Sequence, residues 1–276
     1  MQPLGMIAGA GELPQLVAQQ ACREGRLLPT VALSAQIARL LAPYCPIITH
    51  CSLGQLGKLL RMLRHYDVQQ VIVVGKVQKE LLWHTPRLDL RTLRLLSQVR
   101  DYQDTTLWQA FVAELAREGI AVVEQTRLLA HLLTPEGVLT TRSPSRREWA
   151  DIRYGFAQAK RLVALDIGQT VVVRRGTVLA VEAVEGTDAT IRRGCAYGRR
   201  GTTVIKVGRH PPDMRFDVPT IGPHTVHEVV TGGATVLAVE AGTTFTLRLP
   251  EVVEAADAHG VALVGVSPSL LQQYEG

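Results

Sequence analysis

Cysteine is scarce in this chain. Cys22, Cys45, Cys51 and Cys195 are the four in 276 residues, and none forms a CxxC pair. That spacing excludes a disulfide framework and a thiolate zinc centre, and it leaves buried thiols in a reducing compartment. No run of about 18 apolar residues occurs, so no membrane-spanning helix is expected. No basic stretch leads into an apolar one near the start, so a cytosolic protein is expected, free to touch a membrane surface. Charge of one sign is not in large excess either. Thirty Lys and Arg against 25 Asp and Glu give a net +5. That suits an anionic small molecule or a lipid surface and is too small for a nucleic-acid partner. With 46% apolar and 20% charged residues the composition excludes disorder, and the length suits two domains of ordinary size.

What is present is alternation. Leu4-Gly5-Met6-Ile7-Ala8 reads as a buried strand running into Gly9-Ala10-Gly11-Glu12-Leu13-Pro14, where Pro14 marks a helix start and Gly25 its end. A strand, a glycine turn and a helix N-terminus make an anion site or a plain tight turn. The dinucleotide fingerprint is incomplete, because Pro14 stands where a third glycine belongs, and this disfavours a nicotinamide-dependent oxidoreductase. Strands are expected at 29–33, 46–50 and 71–75, with a helix at 54–66. In series these give a doubly wound parallel sheet whose ligands sit at strand C-terminal ends. Gly9, Ala10, Gly11 and Lys76 fall at such ends. Lys76 reads as a phosphate contact or a solvated loop lysine. His50 and Cys51 lack further ligands and read as structural. The Leu- and Arg-rich stretch 81–100 reads as a basic amphipathic face for an acidic ligand or lipid headgroups, or as a solvated helix face. Asp104 reads first as a cap for the helix beginning near Leu107.

Residues 132–147 are turn-rich and polar, which predicts a domain boundary: 1–135, a Rossmann-like parallel-sheet domain, then 136–276, a mixed α/β domain carrying the catalytic motifs. A helix is predicted over 148–165, then a hairpin with strands at 170–173 and 178–181, then a corner, Val181-Glu182-Ala183-Val184-Glu185-Gly186-Thr187-Asp188. Thr187 and Asp188 are expected as helix N-caps, and residues 194–201 as a glycine- and arginine-rich loop before a strand at 203–207. Two carboxylates, a hydroxyl and helix N–H groups at one corner suit a divalent cation with phosphates. An ordinary capped helix is the plainer alternative.

Three stretches together resemble the LpxI-type UDP-2,3-diacylglucosamine pyrophosphatase family: this corner with Ala189, Leu165-Asp166-Ile167-Gly168-Gln169, and Arg215-Phe216-Asp217-Val218-Pro219-Thr220-Ile221-Gly222. The N-terminal glycine turn and Val236-Leu237-Ala238-Val239-Glu240-Ala241-Gly242 support it, in the same order along nearly the whole chain. The resemblance implies two domains with substrate held between them. It implies hydrolysis of UDP-2,3-diacylglucosamine to UMP and lipid X in lipid A biosynthesis, assisted by Mg²⁺ or Mn²⁺. It also implies a cytoplasmic enzyme of a Gram-negative bacterium working against the inner membrane, with a homodimer among the assemblies to consider. By resemblance Asp217 is the essential acid, with Asp188 and Lys206 beside it in catalysis. Asp217, Asp188 and Glu185 would hold the metal. Gly9, Ala10, Gly11, Lys76, Glu185, Gly186, Thr187 and Thr220 would bind substrate. Lys76 and Asp104 depart from the family pattern.

Pyrophosphate cleavage needs charge neutralisation, an oriented water and a stabilised leaving phosphate, which suits carboxylates with a hard cation and lysines on phosphate oxygens. His224 and His227 read as surface or capping residues before any proton-transfer role. A non-enzymatic UDP-sugar-binding or sensor protein is the alternative, and carboxylates crowded into both motifs favour the enzyme.

Overall fold

A computed structural model describes residues 3–77, 88–209 and 212–274. The backbone divides into two compact units: residues 1–130 with Met214–Asp217, and His131–Asp213 with Val218–Gly276. The four residues Met214–Asp217, expected in the second domain from their place in the chain, group with the first unit.

The first unit runs β1 (Leu4–Ala8), α1 (Leu13–Arg23), β2 (Thr30–Ala32), α2 (Ala35–Leu41), β3 (Ile48–His50), α3 (Leu56–His65), β4 (Gln70–Val74), α4 (Leu90–Gln98), α5 (Asp104–Arg117), β5 (Ala121–Val123) and α6 (Thr126–Leu129). All five strands are parallel, in the order β3-β2-β1-β4-β5, a Rossmann-like sheet. β1 is buried throughout and β4 along Val71–Val74, as expected of strands covered on both faces. The order turns back at β1, so a crevice is expected beyond the C-terminal ends of β1 and β4. Helix α2 has no counterpart in the predicted elements. It is short, and it starts where the Ser34 hydroxyl accepts from the Ile37 N–H at 3.2 Å. Asp104 is not a cap. It lies in the first turn of α5, and Gln103 is the N-cap without a side-chain hydrogen bond. Of the Leu- and Arg-rich stretch, residues 81–87 lie outside the described residues, and α4 carries Leu90–Gln98.

The second unit runs β6 (Gly137–Val138), α7 (Arg146–Ala164), β7 (Thr170–Arg174), β8 (Thr177–Val181), α8 (Thr187–Gly198), β9 (Thr202–Lys206), β10 (Thr220–Ile221), α9 (Pro223–Gly232), β11 (Ala234–Glu240), β12 (Phe245–Thr246), α10 (Leu249–Ala258), β13 (Ala262–Val266) and α11 (Pro268–Gln273). Its main sheet, β6-β13-β11-β9-β7-β8, is mixed: β13, β11 and β9 are parallel, while β7 is antiparallel to β9 and β8. Alternate residues serve opposite cores. Val171, Val173 and Ile205 pack with Ile152 and Phe156 of α7, whereas Val172 and Val204 pack with Ile191 of α8 and Val229 of α9. Each such fully buried aliphatic side chain contributes about 1.5–3 kcal/mol. Those strands therefore hold their register, because a one-residue slip would exchange the two faces.

Helix α7 starts at a capping box, Ser145 with Glu148. The Glu148 carboxylate also accepts from Arg142 and from the Thr235 hydroxyl, each at 2.6 Å. Burial pushes its pKa up, but the bonds from Thr235, the Ser145 N–H and Arg142 outweigh that and hold it below the usual carboxylate value. The predicted loop over 194–201 is corrected: α8 continues to Gly198. Its glycines are packing positions. A Cβ on Gly194 would lie 2.5 Å from Val172 Cβ, and one on Gly198 2.2 Å from Thr202 Cγ2, so they let the helix lie close on the sheet.

Candidate active site

In the first unit the glycine turn is built against the end of β4. Ala10 N–H donates to Lys76 O at 2.8 Å and Lys76 N–H to Ala10 O at 2.7 Å, closing an antiparallel bridge. A Cβ on Gly9 would meet Lys76 O at 2.6 Å, so only glycine permits this approach. Gly11 has φ +103 with open space around its Cβ position, and Ala10 and Gly11 are exposed. Helix α1 follows with Glu12 as N-cap and no capping side chain. The Lys76 backbone is thus part of the turn, while its side chain stays exposed.

Beyond these strand ends lies a cavity of about 330 Å³. Leu56 and Leu59 of α3, Leu95 and Leu96 of α4, and Trp108 and Phe111 of α5 line it, so most of the wall is apolar. Among the described residues its charged lining is Lys76, Asp104, Arg215 and Asp217. The Met214–Asp217 segment is held firmly within this unit. Gln125 N–H donates to Met214 O at 2.8 Å, the Gln125 side-chain amide donates to Val73 O at 2.9 Å, and Phe216 stacks on Trp108 with centroids 4.7 Å apart. Asp217 has φ +47, a left-handed conformation that non-glycine residues adopt at a cost and that recurs where chemistry fixes a side chain. The structure brings Asp104, Lys76 and Asp217 to the wall of one cavity. On the outer face of α4, Leu90 and Leu93 are 85% and 47% exposed, beside an exposed Arg94.

In the second unit the corner differs from expectation in one respect. The N-cap of α8 is Gly186, at φ +80 and ψ 174, and no side chain caps the helix. Thr187 is otherwise engaged: its hydroxyl donates to Glu182 Oε1 at 2.8 Å and accepts from Lys206 Nζ at 2.8 Å. Lys206 ends β9 and is 6% exposed. An ammonium has three donors. Among the described residues Thr187 is its hydrogen-bond partner, and two donors stay unspent. Burial works against ionisation of Glu182, but the Lys206 charge, the Thr170 and Thr187 hydroxyls and the Gln169 N–H outweigh it and hold the pKa below the usual carboxylate value. Asp188 lies in the first turn of α8, with His224 Nε2 at 3.2 Å from its Oδ2. His224 thus faces a carboxylate rather than capping a helix. Thr220 donates to Val218 O at 3.1 Å.

Glu185 is exposed, and its carboxylate accepts from Arg193 and, at 3.3 Å, from Thr190. Its own amide and Arg193 hold its pKa below the usual value. Among the described residues no group of three His, Cys, Asp or Glu side chains is gathered for a metal ion. Mg²⁺ characteristically takes one or two carboxylates and completes its shell with water and substrate phosphates; of the three expected ligands, Asp217 lies in the first unit, Asp188 in the second faces His224, and Glu185 is paired with Arg193. Sequence reasoning passed over Glu182. In an alternating strand it looks like a solvent-facing acid, and its partner Lys206 is far along the chain.

The model of the LpxI N-terminal domain matches residues 3–132, and that of the LpxI C-terminal domain matches residues 135–264. UDP-2,3-diacylglucosamine pyrophosphatase LpxI of Caulobacter vibrioides is 31% identical over 280 residues, covering 97% of this chain and 99% of that protein.

Proposed function

The chain belongs to the LpxI family, and from that premise we propose that it hydrolyses the pyrophosphate bond of UDP-2,3-diacylglucosamine in lipid A biosynthesis. Water adds to one phosphorus, the bridging P–O bond breaks, and UMP and lipid X leave. Following the resemblance, the attacked phosphorus is the one nearer the sugar. The observation that carries this reading is the first unit's cavity: apolar walls suited to an acyl chain, with Asp217 on strained backbone among its few charged residues.

Asp217 orients the attacking water, and its fixed backbone limits the positions its carboxylate can take. In the second unit, the two unspent donors of Lys206 and the uncapped N–H groups of α8 suit phosphate oxygens. Gly186 and Thr187 build that corner, and Thr220 serves as a further polar contact. In the first unit, the Gly9–Gly11 turn and Lys76 offer donors at the strand ends. By resemblance, Asp217 in the first unit and Asp188 in the second are the carboxylates that would serve Mg²⁺ or Mn²⁺, which would offset charge on the phosphate oxygens. Glu185 supports its corner through Arg193. No described helix is long and apolar enough to cross a membrane. A diacylated substrate is the reason to propose that the enzyme works at the cytoplasmic surface of the inner membrane.

Purified protein given UDP-2,3-diacylglucosamine and Mg²⁺ should release UMP and lipid X, read by mass spectrometry. Asp217→Ala should lower kcat at least about 100-fold, the scale of losing a group used only in the transition state. Tight UDP-sugar binding without product under any divalent cation would turn the assignment toward a sensor.

A further inference from the structure

One carboxylate at the second unit's corner has no role above. Glu182 follows β8 directly, and its backbone is fixed from two sides. Its N–H donates to Thr170 O at 2.8 Å, and its carbonyl oxygen would lie 2.2 Å from any Cβ placed on Gly168. Glycine at 168 therefore lets the turn after α7 close on Glu182, and that turn delivers the Gln169 N–H to Glu182 Oε2 at 3.3 Å. With one oxygen so held, the other accepts the Thr187 hydroxyl at 2.8 Å.

A hydroxyl has one hydrogen and two lone pairs. Because Thr187 gives its hydrogen to Glu182, its lone pairs are left for the Lys206 ammonium at 2.8 Å. The order of donation is forced, since an ammonium cannot accept and an ionised carboxylate cannot donate. The link between the two charges runs through this hydroxyl, so the carboxylate balances the buried ammonium without occupying its other N–H groups. A direct ion pair would consume them.

Resting on the phosphate role given to Lys206, we propose that Glu182 is a positioning residue for the hydrolysis: it turns the Thr187 hydroxyl so that Lys206 is held by one bond and presents its remaining donors to a substrate phosphate. Glu182 itself touches no reacting atom. Thr187 is the relay, which explains why it does not cap its helix.

The test is a double-mutant cycle on kcat and KM with UDP-2,3-diacylglucosamine, using Glu182→Gln, Lys206→Met and the pair, beside Thr187→Ser and Thr187→Val. Thermal melts check folding. Glu182→Gln should lower kcat roughly 10- to 100-fold, the scale of a charge-assisted hydrogen bond. In the Lys206→Met background the same change should cost less than about twofold, because the effect passes through Lys206. Thr187→Ser keeps the hydroxyl and should lose at least about tenfold less kcat than Thr187→Val, which should fall with Glu182→Gln. Additive losses in the cycle, or normal kcat in Thr187→Val, overturn the proposal. Full activity of Lys206→Met overturns instead the phosphate role on which it rests. Should a Glu182 or Lys206 variant not fold, the Thr187 pair decides alone.

Discussion

The two units each contain a strand-to-helix corner that opens on glycine and faces a lysine, yet they are built by opposite means. At the first, the backbone makes the connection: Lys76 pairs with Ala10 through main-chain atoms and its side chain is exposed. At the second, side chains make it: buried Lys206 reaches Thr187, and Thr187 reaches Glu182. The glycines differ in the same way. Gly9 is needed because backbone crowds its Cβ position, whereas Gly186 has open space there and is needed for φ +80. Sequence motifs of one appearance can therefore encode a steric requirement in one place and a conformational one in another.

Substitutions at the two corners should separate these demands. The largest effect is expected at Lys206→Met. It removes the charge that balances the Glu182 carboxylate, which costs up to about 3 kcal/mol, and it removes the phosphate donors, so kcat should fall at least about 100-fold. Melting curves and turnover would check both, and unchanged turnover would equate the two lysines. Gly9→Ala drives a methyl into a backbone oxygen and should cost about 3 kcal/mol in denaturant unfolding. Gly186→Ala meets no atom, and only its glycine-type dihedrals resist it, so about 2 kcal/mol is expected. A cost at Gly186 exceeding that at Gly9 would reverse the contrast. Lys76→Met should leave the melting temperature unchanged and lower kcat/KM by less than about tenfold, because its architectural part is main chain.

The capped start of α7 is the control for both uncapped corners. Glu148→Gln should cost about 1 kcal/mol at neutral pH without changing turnover. Since its folded pKa lies below the ordinary value, that stabilisation is complete above about pH 5 and disappears as pH falls through the folded pKa. Wild type and variant should then converge in acid, and a difference that persisted would assign the effect to packing.

Much of this was legible in the sequence. β-branched runs and the Gly–Pro punctuation give the alternation of strands and helices in the first unit, and Arg175-Gly176 gives the β7–β8 hairpin, where both residues have positive φ. What escaped depends on partners distant in the chain. Gly194 and Gly198 read as a loop because local propensity cannot see Val172 and Thr202 beneath them. Thr187 reads as a cap because nothing nearby shows that Lys206 and Glu182 claim its hydroxyl. Asp104 likewise reads as a cap, while the cavity it lines is assembled from five elements of its unit, the loops between them and the Met214–Asp217 segment. Asp217 is singled out by the family pattern and not by any local rule, since its positive φ is a property of the fold alone.

The grouping of Met214–Asp217 with the first unit bears on how such a protein can be divided or inherited. A gene cut after residue 130 would encode a Rossmann-like sheet without Phe216, removing the ring stacked on Trp108, and without Asp217. Recombination at that boundary would exchange the sheet but never the acid, which travels with the other half of the gene. Neither unit can be shuffled as a cassette and keep this cavity whole, so the two are expected to have been transmitted together.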